Sequence, residues 1–158
     1  MRCFRLLSLA LLFSIYAAAA DRSQQVAAVL DAWHRAAAAA DEERYFGYFA
    51  ANGVFMGTDA TERWTVPQFR AWAKPRFAKH KAWNFTPKER HIDFAPGGQT
   101  AWFDELLDTP NLGPCRGSGV LVREGGAWKI AQYNLSVPIP NELADGIVNQ
   151  IGAASRKR

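Results

Sequence analysis

The best local candidates for groups able to move protons are Asp104 and Glu105, in the run "AWFDELLD". Successive residues of an extended strand point to opposite faces, so only one of two adjacent carboxylates can enter a core. Alternation groups Asp104 with Trp102 and Glu105 with Phe103. A carboxylate held beside a tryptophan and away from water can act as a general acid or base. That makes Asp104 the expected inward member, with both carboxylates at the surface as the competing reading. Asp59 and Glu62 in "GTDATERW" offer further carboxylates on a loop, with Trp64 beside them able to wall a cavity mouth. The same Asp, Thr and Glu could instead satisfy the exposed backbone donors at the start of a helix.

Cys115 precedes "RGSG", and the neighbouring Arg116 would favour its thiolate. No nucleophile–base spacing accompanies it, so lining a pocket or packing as a small hydrophobe is the alternative. His34, His80 and His91 are scattered, without the pairwise spacing that metal ligands show, so neither metal nor cofactor is expected. His34 and His91 read as surface or interface residues.

The stretch "GVLVREGGAWKIAQYNLS" predicts two strands around a Gly125–Gly126 turn. Counting outward pairs Arg123 with Trp128, Leu121 with Ile130, Gly119 with Gln132 and Gly117 with Asn134. A glycine inside a strand leaves room for something to approach the backbone. The expected site is therefore a pocket with Leu121, Trp128 and Ile130 as its apolar end. Trp102, Cys115, Gly117 and Gly119 would line it, and the amides of Gln132 and Asn134 would orient a small ligand. A bulge or sheet bend, with the amides bonded to backbone, is the alternative. The opposite face, with Val120, Ala131, Tyr133 and Leu135, is more apolar than a solvated face needs and predicts a homodimer.

Helices must come first and an antiparallel sheet second. Val26, Leu30, Trp33 and Ala37 share a helical face after a Ser23 cap. "RYFGYFA" suggests a short aromatic helix ended by Asn52 and Gly53, and a third helix around Phe69, Trp72 and Phe77 should break at Pro75. The remainder alternates like strands, with glycine turns at Gly97–Gly98 and Gly125–Gly126. This order is α+β. The first 20 residues, with Arg2 and Arg5 ahead of an apolar run closing on alanines, read as a secretory signal peptide cleaved before Asp21. The expected organisation is signal 1–20, one domain 21–143 and a C-terminal tail 144–158. The product would be periplasmic or secreted, with no membrane association after cleavage. Losing Arg2 and Arg5 lowers the formal charge from +4 to +2, and the remaining cations alternate with acids, so nucleic acid is not an expected partner. Cys3 leaves with the signal, so no intrachain disulfide is available.

The order of "FGYFAANGVFMG", "TAWFDE" and the final hairpin resembles the SnoaL-like branch of the nuclear-transport-factor-2-like superfamily, from about Val26 to Pro140. The resemblance implies a cystatin-like cone, a strongly curved antiparallel sheet wrapped around helices and open to a pocket, and dimers across the outer face. Relatives carry histidines near the end of the last strand, where this chain has Gln132 and Asn134. The ketosteroid-isomerase branch takes its catalytic aspartate near the position of Gly57. Those departures favour a protein that binds a small apolar or aromatic molecule. An isomerase, dehydratase or cyclase using Asp104, Glu105 or Asp59, and a protein-interaction module, are the alternatives.

Overall fold

A computed structural model describes residues 21–80 and 82–156 with their side chains and residues 3–20 by backbone alone. The expected signal, residues 1–20, lies outside the fully described residues. In helix α1 (Cys3–Ala38) the stripe Val26, Leu30, Trp33 and Ala37 is buried, as the helical spacing requires. Ser23 lies inside this helix and does not cap it. Asp41 caps α2 (Glu42–Gly47), its carboxylate accepting the Arg44 N–H at 3.0 Å. Tyr45 and Phe46 of α2 are buried, and Tyr45 stacks on Trp33 at 5.1 Å between ring centroids.

Six strands follow: β1 (Phe49–Met56), β2 (Arg63–Thr65), β3 (Thr86–Phe94), β4 (Thr100–Thr109), β5 (Gly113–Glu124) and β6 (Ala127–Ser136), with α3 (Val66–Ala78) between β2 and β3. They form one curved sheet in the order β2-β1-β6-β5-β4-β3, antiparallel except where β1 meets β6 in parallel. The fold is thus α+β, a sheet wrapped around N-terminal helices. Pro67 sits in the first turn of α3, as expected. Pro75 does not split the helix; it falls in the last turn, and α3 ends three residues beyond it at Ala78. Residues 144–158, expected as a tail, contain helix α4 (Ala144–Ser155), none of whose residues is buried.

The Gly125–Gly126 turn forms with both glycines at positive φ, 60° and 83°, and pairs Arg123 with Trp128 and Leu121 with Ile130. The register then shifts. Val120 pairs with Gln132, Gly119 with Tyr133 and Gly117 with Leu135, leaving Ala131 as an extra residue in β6. Beyond it every side chain changes face. Tyr133 and Leu135, expected outside, are buried in the core, and Gln132 and Asn134, expected inside, lie half-buried on the outer face. The cause is visible in β1, whose register with β6 also shifts between Phe49 and Val54. Gly53, expected to end a helix, lies in β1, where a Cβ would sit 3.0 Å from the carbonyl oxygens of Ala50 and Ile130. Two irregular strands therefore bend together at one place.

The strand glycines make room for protein and not for a ligand. A Cβ at Gly119 would run into the Gln132 carbonyl oxygen and come within 2.9 Å of Phe103 Cε1. At Gly117 the obstacles are side chains, the Tyr133 hydroxyl and, at 3.1 Å, Glu105 Oε1. Backbone cannot swing aside as a side chain can. Gly119→Ala should therefore lower unfolding stability by about 1–3 kcal/mol, and by more than Gly117→Ala. Urea denaturation checks this, and equal stabilities for Gly119→Ala and the parent chain would refute the observed register.

Candidate functional site

One concavity is walled by aromatic rings from three elements. β1 supplies Phe55 and β2 supplies Trp64, which are paired across the strands. Phe69, Trp72 and Arg76 recur at positions i, i+3 and i+7 of α3 and face the same cleft. The segment 82–85 adds Trp83 and Phe85, the turn 110–112 adds Asn111 and Leu112, and Leu135 closes the base from β6. The cavity has a volume of about 450 Å³, the size of a small-molecule site. Local chemistry fixes its rim. Gln68 Oε1 accepts from both the N–H and the hydroxyl of Thr65 at 2.9 and 3.0 Å, anchoring the start of α3.

The rings lie almost flat on one another. Phe69 stacks on Phe55 at 3.9 Å and on Trp64 at 5.7 Å with only 5° between planes, and Trp72 stacks on Trp64 at 4.9 Å. Trp83 covers Phe69 at 5.5 Å and 20°. Trp72 keeps 37 % of its surface exposed, and with Trp64 stacked on it and the Arg76 guanidinium 3.7 Å from its ring centre the open part is the indole edge toward the cleft. Trp64, expected at a cavity mouth, lines this cleft, and so does Glu62. Asp59 is committed to its own loop, its Oδ1 accepting from the Thr61 N–H and hydroxyl at 2.9 and 2.7 Å.

The other predicted site residues do not converge. Trp102 is 47 % exposed on the outer face, whereas Trp128 is buried on the inner face at the hairpin end of β6, against Phe94. Ile130 is buried in the core and Cys115 is buried with Thr109 Oγ1 4.0 Å from its Sγ. Gly117 and Gly119 are filled by Tyr133 and Phe103, and Gln132 and Asn134 face away. Asp104, the expected inward carboxylate, is exposed beside His91 at 3.4 Å. The inward one is Glu105, because β4 keeps strict alternation with Ala101, Phe103 and Leu107 on its buried face.

Glu105 carries the one polar cluster deep inside the described residues. Its Oε1 lies 2.7 Å from His34 Nε2, and its Oε2 accepts from Arg90 Nε at 2.8 Å. Arg90 also reaches Asp31 Oδ1 at 2.8 Å, one turn before His34 on α1. The chain Asp31–Arg90–Glu105–His34 thus ties α1 to β3 and β4. His34, expected at a surface, is buried and borders a second cavity of about 250 Å³ that shares Asn84 and Phe85 with the aromatic cleft. An imidazole with one nitrogen held by a carboxylate can exchange a proton at the other. Burial also pushes the nearby Tyr133 hydroxyl well above the ordinary phenol range, and the Glu105 carboxylate adds to the shift. Neither His34 nor Arg90 is signalled by local sequence, since their partner is distant in the chain. Glu105→Leu leaves the Arg90 guanidinium and the buried His34 imidazole without their acceptor and should cost about 3–5 kcal/mol in chemical denaturation. Adding Arg90→Met should restore part of that loss; an unchanged stability in the single variant would show the cluster to be solvated.

Comparison with curated proteins gives no match in sequence. Among solved structures, an NTF2-like protein of unknown function from Pseudomonas putida KT2440 is 16% identical with a TM-score of 0.65, covering 78% of this chain and 91% of that one. A provisionally assigned dehydratase of the NTF2-like family from Streptomyces avermitilis is 15% identical with a TM-score of 0.63, covering 76% and 98%. A provisionally assigned aromatic ring hydroxylase from Novosphingobium aromaticivorans is 16% identical with a TM-score of 0.62, covering 76% and 90%. At these identities the likeness is one of fold. The profile of the SnoaL-like domain matches residues 26–140, which takes in the buried stripe of α1, α2, α3, the whole sheet and the aromatic cleft, and the chain therefore belongs to the SnoaL-like family of NTF2-like proteins.

Proposed function

We propose that this protein is exported and binds a small molecule with aromatic or apolar surface in the cleft between β1, β2 and α3. The observation that carries the binding reading is the near-parallel stack of Phe55, Phe69, Trp64 and Trp72, half-open beside a cavity of about 450 Å³. Burying a flat apolar ring there removes two apolar surfaces from water and adds offset stacking. Thr58, Asn84 and Asn111 at the walls provide neutral hydrogen-bonding groups to orient it. The export half of the reading rests on the leader-like first 20 residues.

Naphthol, a neutral fused-ring probe, should bind and perturb the tryptophan fluorescence. Trp72→Ala, at a half-open position, should leave the fold intact and weaken binding about tenfold, the loss of about 1.4 kcal/mol of stacking. Naphthol binding that is indifferent to Trp72→Ala would move the site elsewhere.

The buried His34–Glu105 contact favours a second reading, an acid/base enzyme of the isomerase or dehydratase type. Fold relatives provisionally assigned as a dehydratase and a ring hydroxylase accord with a small-molecule enzyme. In that case proton transfer passes to His34, because Asp104 is outside and Asp59 is held in its loop. His34→Gln should then abolish turnover of a bound ligand while leaving its affinity within about twofold, because only the proton-transferring group is lost. Turnover retained in His34→Gln would exclude this role.

A further inference from the structure

We propose that the ligand of the aromatic cleft is an anion, an aromatic or hydrocarbon ring system carrying a carboxylate that Arg76 receives at the rim. This rests on the cleft being the binding site and adds the charge of what enters it. Two charged side chains line the cavity, Glu62 and Arg76. The Glu62 carboxylate is engaged in the loop that precedes β2: its Oε2 accepts the Asp59 N–H at 3.2 Å and packs against Gly57. Arg76 is held but not neutralised. Its guanidinium carbon lies 3.7 Å from the centre of the Trp72 ring, and Nη1 donates to the Trp72 carbonyl at 3.1 Å. Among the described residues no carboxylate reaches it. On the same helix Arg70 is paired with Glu42 and Glu43 and serves the fold.

The surrounding chain has the matching field. From Arg63 to Lys88 the sequence contains seven lysines and arginines and no aspartate or glutamate; Arg70 and Lys88 are paired with acids from outside it, and the segment supplies β2, α3 and the Trp83 wall. A low-dielectric wall of rings with cations of one sign around it concentrates anions at the mouth. A guanidinium already stacked on an indole loses little freedom when it binds a carboxylate, and its planar fork suits two parallel hydrogen bonds. A ring seated in the cleft against the open edge of Trp72 would place its carboxylate substituent next to that guanidinium. Ring and charge are thus recognised by neighbouring groups on one helix face.

Calorimetric titration of the folded chain with three isosteres reads this out: naphthoate, its neutral amide and naphthylmethylamine. Naphthoate should bind at least about tenfold more tightly than the amide, from a charge-assisted contact. Its affinity should fall with added salt while that of the amide holds. Arg76→Gln should erase the preference for naphthoate without weakening the amide, and Arg76→Lys should keep part of it. Equal binding of naphthoate and amide, tightest binding of the amine, or an undiminished preference in Arg76→Gln would each overturn the assignment while leaving the cleft as a binding site. If none of the three binds, the cleft reading falls together with it.

Discussion

One extra residue in the last strand decides which side chains this protein keeps inside. Ala131 is accommodated because Gly53 lets β1 press against the Ile130 carbonyl, so the two central strands bend at the same point. Downstream of that bend Tyr133 and Leu135 enter the core. Tyr133 then fills the interior, its ring 4.6 Å from Trp33 and 5.5 Å from Phe55, and Gly117 and Gly119 make space for it and its neighbours. The place expected to be hollow is filled by Tyr133 and its neighbours, and the aromatic cleft lies toward β1, β2 and α3.

The polar cluster around Glu105 belongs to the same economy of space. A carboxylate without solvent exposure is tolerable only with donors on both oxygens, which Arg90 and His34 supply from β3 and α1. The cluster fixes the position of α1 against the strands and sets the imidazole of His34 at the wall of a cavity adjoining the aromatic cleft. The contacts that hold the buried carboxylate thus also hold the imidazole in place.

Local signals carried the fold well. The helical stripe of α1, the Gly125–Gly126 turn and the first part of the hairpin register follow from spacing and glycine placement alone. The candidate site was less legible, for physical reasons. The Ala131 bulge answers to β1, which arrives from far back in the chain, and nothing within the hairpin announces it. His34 and Glu105 are 71 residues apart, so their contact has no local pattern. Trp72 is spaced like a core residue of an ordinary helix, and only the gap between α3 and the sheet leaves it half-open. Trp64 was legible because a tryptophan beside a polar loop has few places to go except a rim.

The parallel pairing of β1 with β6 has a further consequence for how the protein comes into being. Phe49 lies opposite Ile130, so these neighbours enclose most of the domain between them. Closing so long a loop costs entropy before any contact repays it, and folds dominated by such pairings form slowly. During synthesis β1, β2 and α3 emerge early, but β1 cannot join the rest of the sheet until β6 follows. Their aromatic side chains therefore spend that interval exposed, as sticky surface that a holding chaperone could shield. The aromatic cleft is completed only when Leu135 of β6 closes its base, so a chain cut short before Ala127 would lack that wall.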